Sequence, residues 1–373
     1  MKKQLHWSIL LLLLFAFVGC SDNDTINPGT PDIKEEGVYV LSEGSFGKPT
    51  TSSLSFYEPS SNEVTNDVFK NANKDVGSDG LILGNTPQSM TLEGSLIHII
   101  INGDNKIITI DGNTNRYLGE VKELTSPRYM VTTPDHRAYV TSLAESKITI
   151  VDLVQKEFDE GKILSQIDVS NPEETRVKQH TSERVIAVND ELFVAAWSYD
   201  ETVLVVDPKT NTLKEKITVG VQPQSMALDK NKMLWVLCDG SYNGSPFKYS
   251  DGSIHRINTQ THKDELVYTF PKVEGFATKK NLVINRSGDT IYFINKDIYR
   301  MKITDSEPEK IIEAKAGQVF YALGIDPKNG DIYVGDAVDY SQPGMVYRYG
   351  ADLQKKDEFK VGVNPSSFLF FYN

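Results

Sequence analysis

Pro223-Gln224-Ser225-Met226-Ala227-Leu228, the turn Asn231-Lys232, and then Leu234-Trp235-Val236-Leu237-Cys238 form the stretch that decides the fold. A short apolar strand, here strand A, is introduced by Pro-x-Ser, reaches a tight polar turn, and returns as a more hydrophobic strand B. Runs of this length and composition, bounded by turn residues, read as paired strands. The same lead-in stands at Pro87-Gln88-Ser89-Met90 and Pro127-Arg128-Tyr129-Met130. Its phase continues at Glu183-Arg184-Val185-Ile186, at Asn281-Leu282-Val283-Ile284 after Lys279, at Phe320-Tyr321-Ala322-Leu323 and at Pro365-Ser366-Ser367-Phe368. The seven lead-ins are spaced by 40, 56, 40, 56, 41 and 45 residues. A repeat of roughly 40–45 residues is the length of one four-stranded propeller blade.

Strands of type B also number seven: Val38–Leu41, Ile97–Ile101, Ala138–Thr141, Leu192–Ala195, Leu234–Cys238, Ile291–Ile294 and Ile332–Val334. Third strands follow six of them, as at Ile107–Ile110 and Val203–Val206, and some lead on to an outer strand such as Lys216–Val219. The first B strand has no A strand before it, and the last A strand, Phe368–Tyr372, has no B strand after it. Pairing these two seals a ring and removes the open end of the array. The sequence therefore predicts an all-β, seven-bladed β-propeller of four-stranded blades, closed by the C-terminal strand pairing into the first blade. Two sandwiches side by side would have no reason for complementary ends.

Before the repeats, residues 1–19 read as a secretory signal peptide: Lys2 and Lys3, an apolar run from Ile9 to Val18, and Gly19 ahead of Cys20. The apolar run is shorter than the roughly 20 residues of a membrane-spanning helix. Residues 20–36 form a polar stretch expected to act as a tether, and residues 37–373 form the propeller. Losing residues 1–19 with their two lysines takes the net charge from −12 to about −14. A surface this acidic argues against nucleic acid, whose phosphates need Lys and Arg. The chain has two cysteines, Cys20 and Cys238.

Catalytic constellations are sparse. The six histidines are scattered without a His-x-x-x-His pair, there is no Gly-x-Ser-x-Gly elbow, and no glycine-rich phosphate loop is found. Asp104, Asp239, Asp251, Asp336 and Asp339 lie in loops and leave calcium as a lesser alternative; no resident metal or cofactor is expected. The loops are asymmetric. In a propeller the connections into strand A and from strand B share one face, and here that face holds Asn102, Trp197, Tyr199, Asp239, Tyr242, Phe247 and Tyr340, joined by Gln88, Arg128, Tyr129, Arg184, Gln224, Phe320 and Tyr321. Aromatic side chains in polar loops give rigid apolar area, and adjacent amides and charges fix a polar ligand. This face is the candidate ligand-binding site, with Arg128 and Arg184 as its positive charge.

The segment Phe17-Val18-Gly19-Cys20 resembles the lipobox of bacterial lipoproteins, with Phe17 where Leu is commonest, and the acidic Ser21-Asp22-Asn23-Asp24 resembles a Bacteroidetes surface-export signal. Val38-Tyr39-Val40-Leu41-Ser42-Glu43-Gly44-Ser45-Phe46-Gly47, Ser53-Leu54-Ser55-Phe56-Tyr57 and Gly324-Ile325-Asp326-Pro327-Lys328-Asn329-Gly330-Asp331 resemble a family of Bacteroidetes surface lipoproteins built as YncE-like propellers, which includes the cobalamin-binding BtuG proteins. The resemblance implies a protein lipidated at Cys20 and held at the outer membrane, facing the cell exterior. It implies capture of cobalamin (vitamin B12) or a related corrinoid and delivery to a BtuB-like, TonB-dependent transporter, without enzymatic activity. Alternatives are a calcium-dependent propeller hydrolase or lactonase, and a surface module binding glycan or protein.

Overall fold

The computed structural model describes residues 36–76, 80–134, 136–157, 159–173, 177–242, 245–246, 249–271 and 279–372. The signal peptide, Cys20, the tether and Phe247 lie outside the described residues. Residues 33–373 form one compact unit.

Among the described residues the strands form seven sheets, antiparallel apart from one short added strand, and each has one of the seven lead-ins on its innermost strand. The A strands are Pro87–Glu93, Pro127–Thr132, Ser182–Val188, Pro223–Leu228, Lys279–Ile284, Phe320–Ile325 and Pro365–Phe371. Each A strand touches the A strand of the next blade, and Pro365–Phe371 touches Pro87–Glu93, so the seven close a ring around a central axis. Closure runs through the ends of the chain: Val38 pairs with Phe370 and Val40 with Phe368 in the first blade. The predicted seven-bladed, all-β architecture is what the chain adopts.

The apolar character of the B strands has a geometric cause. Successive side chains of a strand point to opposite faces of its sheet, and in a ring of blades both faces are covered. On Gly37–Ser42, Tyr39 and Leu41 pack toward the second blade, in a cluster with Ile97, Ile99 and Ile101. Val38 and Val40 pack the other way, with Tyr333, Val346 and Phe359 of the seventh blade. Seven such clusters occur among the described residues, one between each pair of neighbouring blades. Strands outside the ring are polar on one face, as in Thr212–Thr218, because only their inner side meets a neighbour.

Two departures from plain repetition explain the 56-residue spacings. After the third strand of blade 3, the chain detours to add Asp159–Glu160, parallel to Tyr117–Val121, as a fifth strand of the second sheet. In blade 5 the extra length lies in the connection from Cys238 to Ser253, which carries the bridge between Ser241 and Ser250. A one-turn helix, Val68–Ala72, also interrupts the strands, with Val68 and Phe69 buried in the cluster between blades 1 and 2.

Candidate functional site

Every A strand enters its sheet with a defect. Pro87 pairs with Ile101 and Ser89 with Ile100, so Gln88 has no partner in the ladder. Gln224 is skipped in the same way, as are Tyr321 and Ser366. In the other three blades two residues face one: Arg128-Tyr129, Glu183-Arg184 and Asn281-Leu282. A β-bulge frees a residue from pairing and re-aims its side chain. The bulge is preceded in four blades by a residue with left-handed backbone directly before proline: Thr86, Ser126, Gln222 and Asn364. This is where the chain turns from loop into inner strand.

These bulges surround a cavity of about 580 Å³ at one end of the ring axis. Gln88, Arg128, Tyr129, Glu183, Gln224, Asn281, Tyr321 and Ser366 all line it, so each blade contributes at least one bulge residue. Loops add Glu43, Trp197, Ser198, Tyr199, Asp239, Tyr242 and Tyr340. Gly44, at φ +79°, turns the chain back immediately after Glu43, and a Cβ there would stand 2.6 Å from the Ser52 nitrogen. Tyr199, Tyr242 and Tyr340 form a half-exposed aromatic rim, 37 %, 49 % and 50 % exposed. Tyr199 and Tyr340 both hold left-handed backbone, which is costly for a residue with a bulky side chain.

The floor is polar and charged. The Arg128 guanidinium donates through Nε and Nη2 to the two oxygens of Glu183, at 2.7 and 2.8 Å, and through Nη1 to Gln88 Oε1. Gln88 Nε2 donates on to the Tyr129 hydroxyl at 3.2 Å. Burial opposes the charge on Arg128, but Glu183 holds its pKa above the ordinary value. On the opposite side the Tyr321 hydroxyl donates to Glu43 Oε2 at 3.0 Å. Burial raises the Glu43 carboxyl above its usual range, against the pull of Tyr321, Arg128 and Lys280. The Lys280 ammonium lies 3.5 Å from the centre of the Tyr321 ring, and burial pushes its pKa down to about 8. Trp197 Nε1 donates to Asp239 Oδ2 at 3.3 Å.

Of the fourteen face residues expected from sequence, Phe247 lies outside the described residues and ten line this cavity: Gln88, Arg128, Tyr129, Trp197, Tyr199, Gln224, Asp239, Tyr242, Tyr321 and Tyr340. Three do not line it. Asn102 turns its amide to Ser126 and the Pro127 carbonyl, bracing a neighbouring loop. Arg184, the second residue of its bulge, stacks its guanidinium 3.9 Å over the Tyr129 ring. Phe320 is buried between blades 6 and 7, because it pairs in the ladder and its neighbour Tyr321 is the bulged residue. Sequence reasoning missed Glu43, Glu183 and Lys280 as lining residues, although Glu183 and Lys280 stand at A-strand lead-ins, the signal that could have found them.

Of the loop carboxylates considered for calcium, Asp336 accepts from the Val319 and Val338 amides and Asp339 from those of Ser341 and Gln342. Among the described residues no group of three or more His, Cys, Asp or Glu is arranged to hold a metal ion. Cys238 is buried, and burial pushes its thiol well above the ordinary range, as expected of a core residue.

The fold is similar to those of several solved structures. The periplasmic gluconolactonase of Pseudomonas aeruginosa is 12% identical with a TM-score of 0.65, over 90% of this chain and 99% of that one. A quinoprotein alcohol dehydrogenase-like protein from Bacteroides thetaiotaomicron is 17% identical with a TM-score of 0.65, over 90% and 78%. Kuenenia stuttgartiensis hydrazine synthase is 16% identical with a TM-score of 0.56, over 71% and 77%. At these identities the likeness is one of fold. It nonetheless corrects the expectation that the chain is not an enzyme, since structures bearing enzyme names share its architecture. No curated protein sequence matches the chain. Residues 36–370, nearly the whole propeller, match the family described as "Domain of unknown function (DUF5074)", and the chain belongs to that family.

Proposed function

We propose that the axial cavity captures a ring-shaped, amide-bearing ligand, with cobalamin or a related corrinoid as its occupant. The observation that carries this reading is convergence. Six aromatic side chains, Tyr129, Trp197, Tyr199, Tyr242, Tyr321 and Tyr340, meet the amides of Gln88, Gln222, Gln224 and Asn281 around one cavity. Its volume falls in the usual range of small-ligand sites, about 300–1,000 Å³, and its open aromatic rim suits a flat macrocycle that projects beyond it. The resemblance to cobalamin-binding surface lipoproteins supplies the ligand. With lipid on Cys20 and a tether reaching a few tens of ångströms, the propeller would sit over a TonB-dependent transporter in the outer membrane and pass the corrinoid on.

Calorimetry with cyanocobalamin tests the reading. One-site binding at micromolar or tighter affinity is expected, and Trp197→Ala should weaken it at least tenfold, about 1.4 kcal/mol. Absence of heat at 50 μM ligand, a concentration of roughly fifty times a micromolar dissociation constant, contradicts it.

A second reading, chemistry on an ester or lactone, is favoured by one observation. Glu43 and Lys280 share the cavity with protonation equilibria displaced from their ordinary values, the pattern of groups tuned for proton transfer. Hydrolysis of glucono-δ-lactone that is lost in Glu43→Gln would support it. Equal rates in the two proteins would remove it.

A further inference from the structure

The positive charge of the cavity is not where the sequence suggests. Arg128 has committed its planar fork to Glu183 and Gln88, and an arginine held on both oxygens of a carboxylate has little attraction left for another anion. Arg184 lies on Tyr129 and does not line the cavity. Lys280 does line it. Among the described residues Lys280 has no carboxylate within ion-pair distance, and its recorded contact is the face of Tyr321. Glu43 and Asp239 act on it only at longer range. A half-buried ammonium resting on an aromatic face retains two or three donors for a ligand.

The neighbouring A strand supplies a second feature. Gln224 Oε1 is buried and accepts no hydrogen bond, although buried polar atoms are almost always paired. Gln224 and Lys280 sit at the entrances of adjacent A strands, Pro223–Leu228 and Lys279–Ile284. The Leu282 amide donates to Ser225 Oγ at 2.9 Å and ties the two entrances together.

We propose that Lys280 seats an oxyanion of the ligand, a phosphodiester or a carboxylate, while Gln224 Oε1 accepts from an N–H or O–H next to that anion. The charge of the anion is limited by its surroundings. With Arg128 and Glu183 neutralising each other, Lys280 is the one cation left among the described lining residues, and Glu43 and Asp239 share the cavity with it, so each added negative charge on the ligand is opposed and a monoanion is preferred to a dianionic phosphate monoester. This assignment rests on the ligand-capture reading, and it makes Lys280 a specificity-determining residue.

Two corrinoids separate the possibilities. Cyanocobalamin carries a phosphodiester, whereas cobinamide has the corrin ring without it. Lys280→Gln should weaken cyanocobalamin binding tenfold or more and leave cobinamide within twofold, and Lys280→Arg should keep most of the cyanocobalamin affinity. Equal losses for both ligands, or none for either, overturn the proposal. Should neither corrinoid bind wild-type protein, the corrinoid reading fails and Lys280 is tested by itself. The protein is reductively ¹³C-methylated, the Lys280 signal is identified by its loss in Lys280→Gln, and dimethyl phosphate or acetate is titrated in. A saturable upward shift in the midpoint of that signal supports the site and shows which oxyanion it takes. An unchanged midpoint with both probes overturns it.

Discussion

At the residue scale, the cavity has side chains held at some cost to the chain. Tyr199 occupies left-handed backbone at φ 53° and stands 37 % exposed on the rim, where neither burial nor backbone preference recommends a tyrosine. Glycine adopts this conformation freely, and the strain is roughly 1 kcal/mol. Tyr199→Gly should therefore leave the unfolding free energy within about 1 kcal/mol of wild type while weakening ligand capture several-fold, as read by urea unfolding and calorimetry. A matched loss of stability would mean that Tyr199 packs for the fold. Tyr199, Tyr242 and Tyr340 were legible in the sequence because large aromatics in polar loops are conspicuous. Glu43 and Lys280 were not, since one follows the first strand of blade 1 and the other opens blade 6, and only the ring brings them into one cavity. Phe320 and Tyr321 differ by one position, and a one-residue slip exchanges core for cavity.

At the element scale, the unit of the site is the bulged entrance of the A strand. The Pro-x-Ser signature marks the entrance well. It does not mark which residue leaves the ladder, because the two-residue bulges at Arg128-Tyr129, Glu183-Arg184 and Asn281-Leu282 look no different locally from the one-residue bulges. The fifth strand, Asp159–Glu160, was invisible for a similar reason: two acidic residues carry no strand signal, and their pairing to Tyr117–Val121 is a tertiary event. Blades are also joined at their edges. His262, in the turn before Asp264–Thr269, bonds Glu191 at 2.8 Å and Glu215 at 2.6 Å, both on blade 4. Burial alone would lower its pKa, but the two carboxylates raise it above the ordinary value. A raised folded-state pKa gives stability that is fully present below the unfolded value near 6.5 and is lost as pH rises through the folded value. His262→Gln should thus destabilise the protein more at pH 6 than at pH 9 in urea unfolding. A gap independent of pH would show that the imidazole is not charged in this clamp.

At the scale of the whole molecule, closure is what turns seven sheets into one site, since the cavity takes a bulge from every blade. The closing strand is held by side chains as well as by its ladder. Phe371 is buried, its ring set edge-on to Tyr39 at 5.8 Å, and the single proton of the Tyr39 hydroxyl is shared between the Gly112 carbonyl and Asn115 Oδ1, both within hydrogen-bond distance in the second blade. Phe371→Ala should cost about 3–5 kcal/mol, the usual price of emptying a buried phenyl site, seen as a lowered midpoint in thermal or urea unfolding; a cost below about 1 kcal/mol would mean that the ring closes without it. The complementary ends made this closure readable from sequence, because a strand lacking its partner at each terminus has one economical solution. What occupies the cavity is the remaining question, and cobalt is its own label. Diffraction at the cobalt absorption edge from crystals soaked with cyanocobalamin should give one anomalous peak over the cavity, between Trp197 and Tyr340. The absence of a peak, or a peak away from the bulge-lined face, would contradict the assignment.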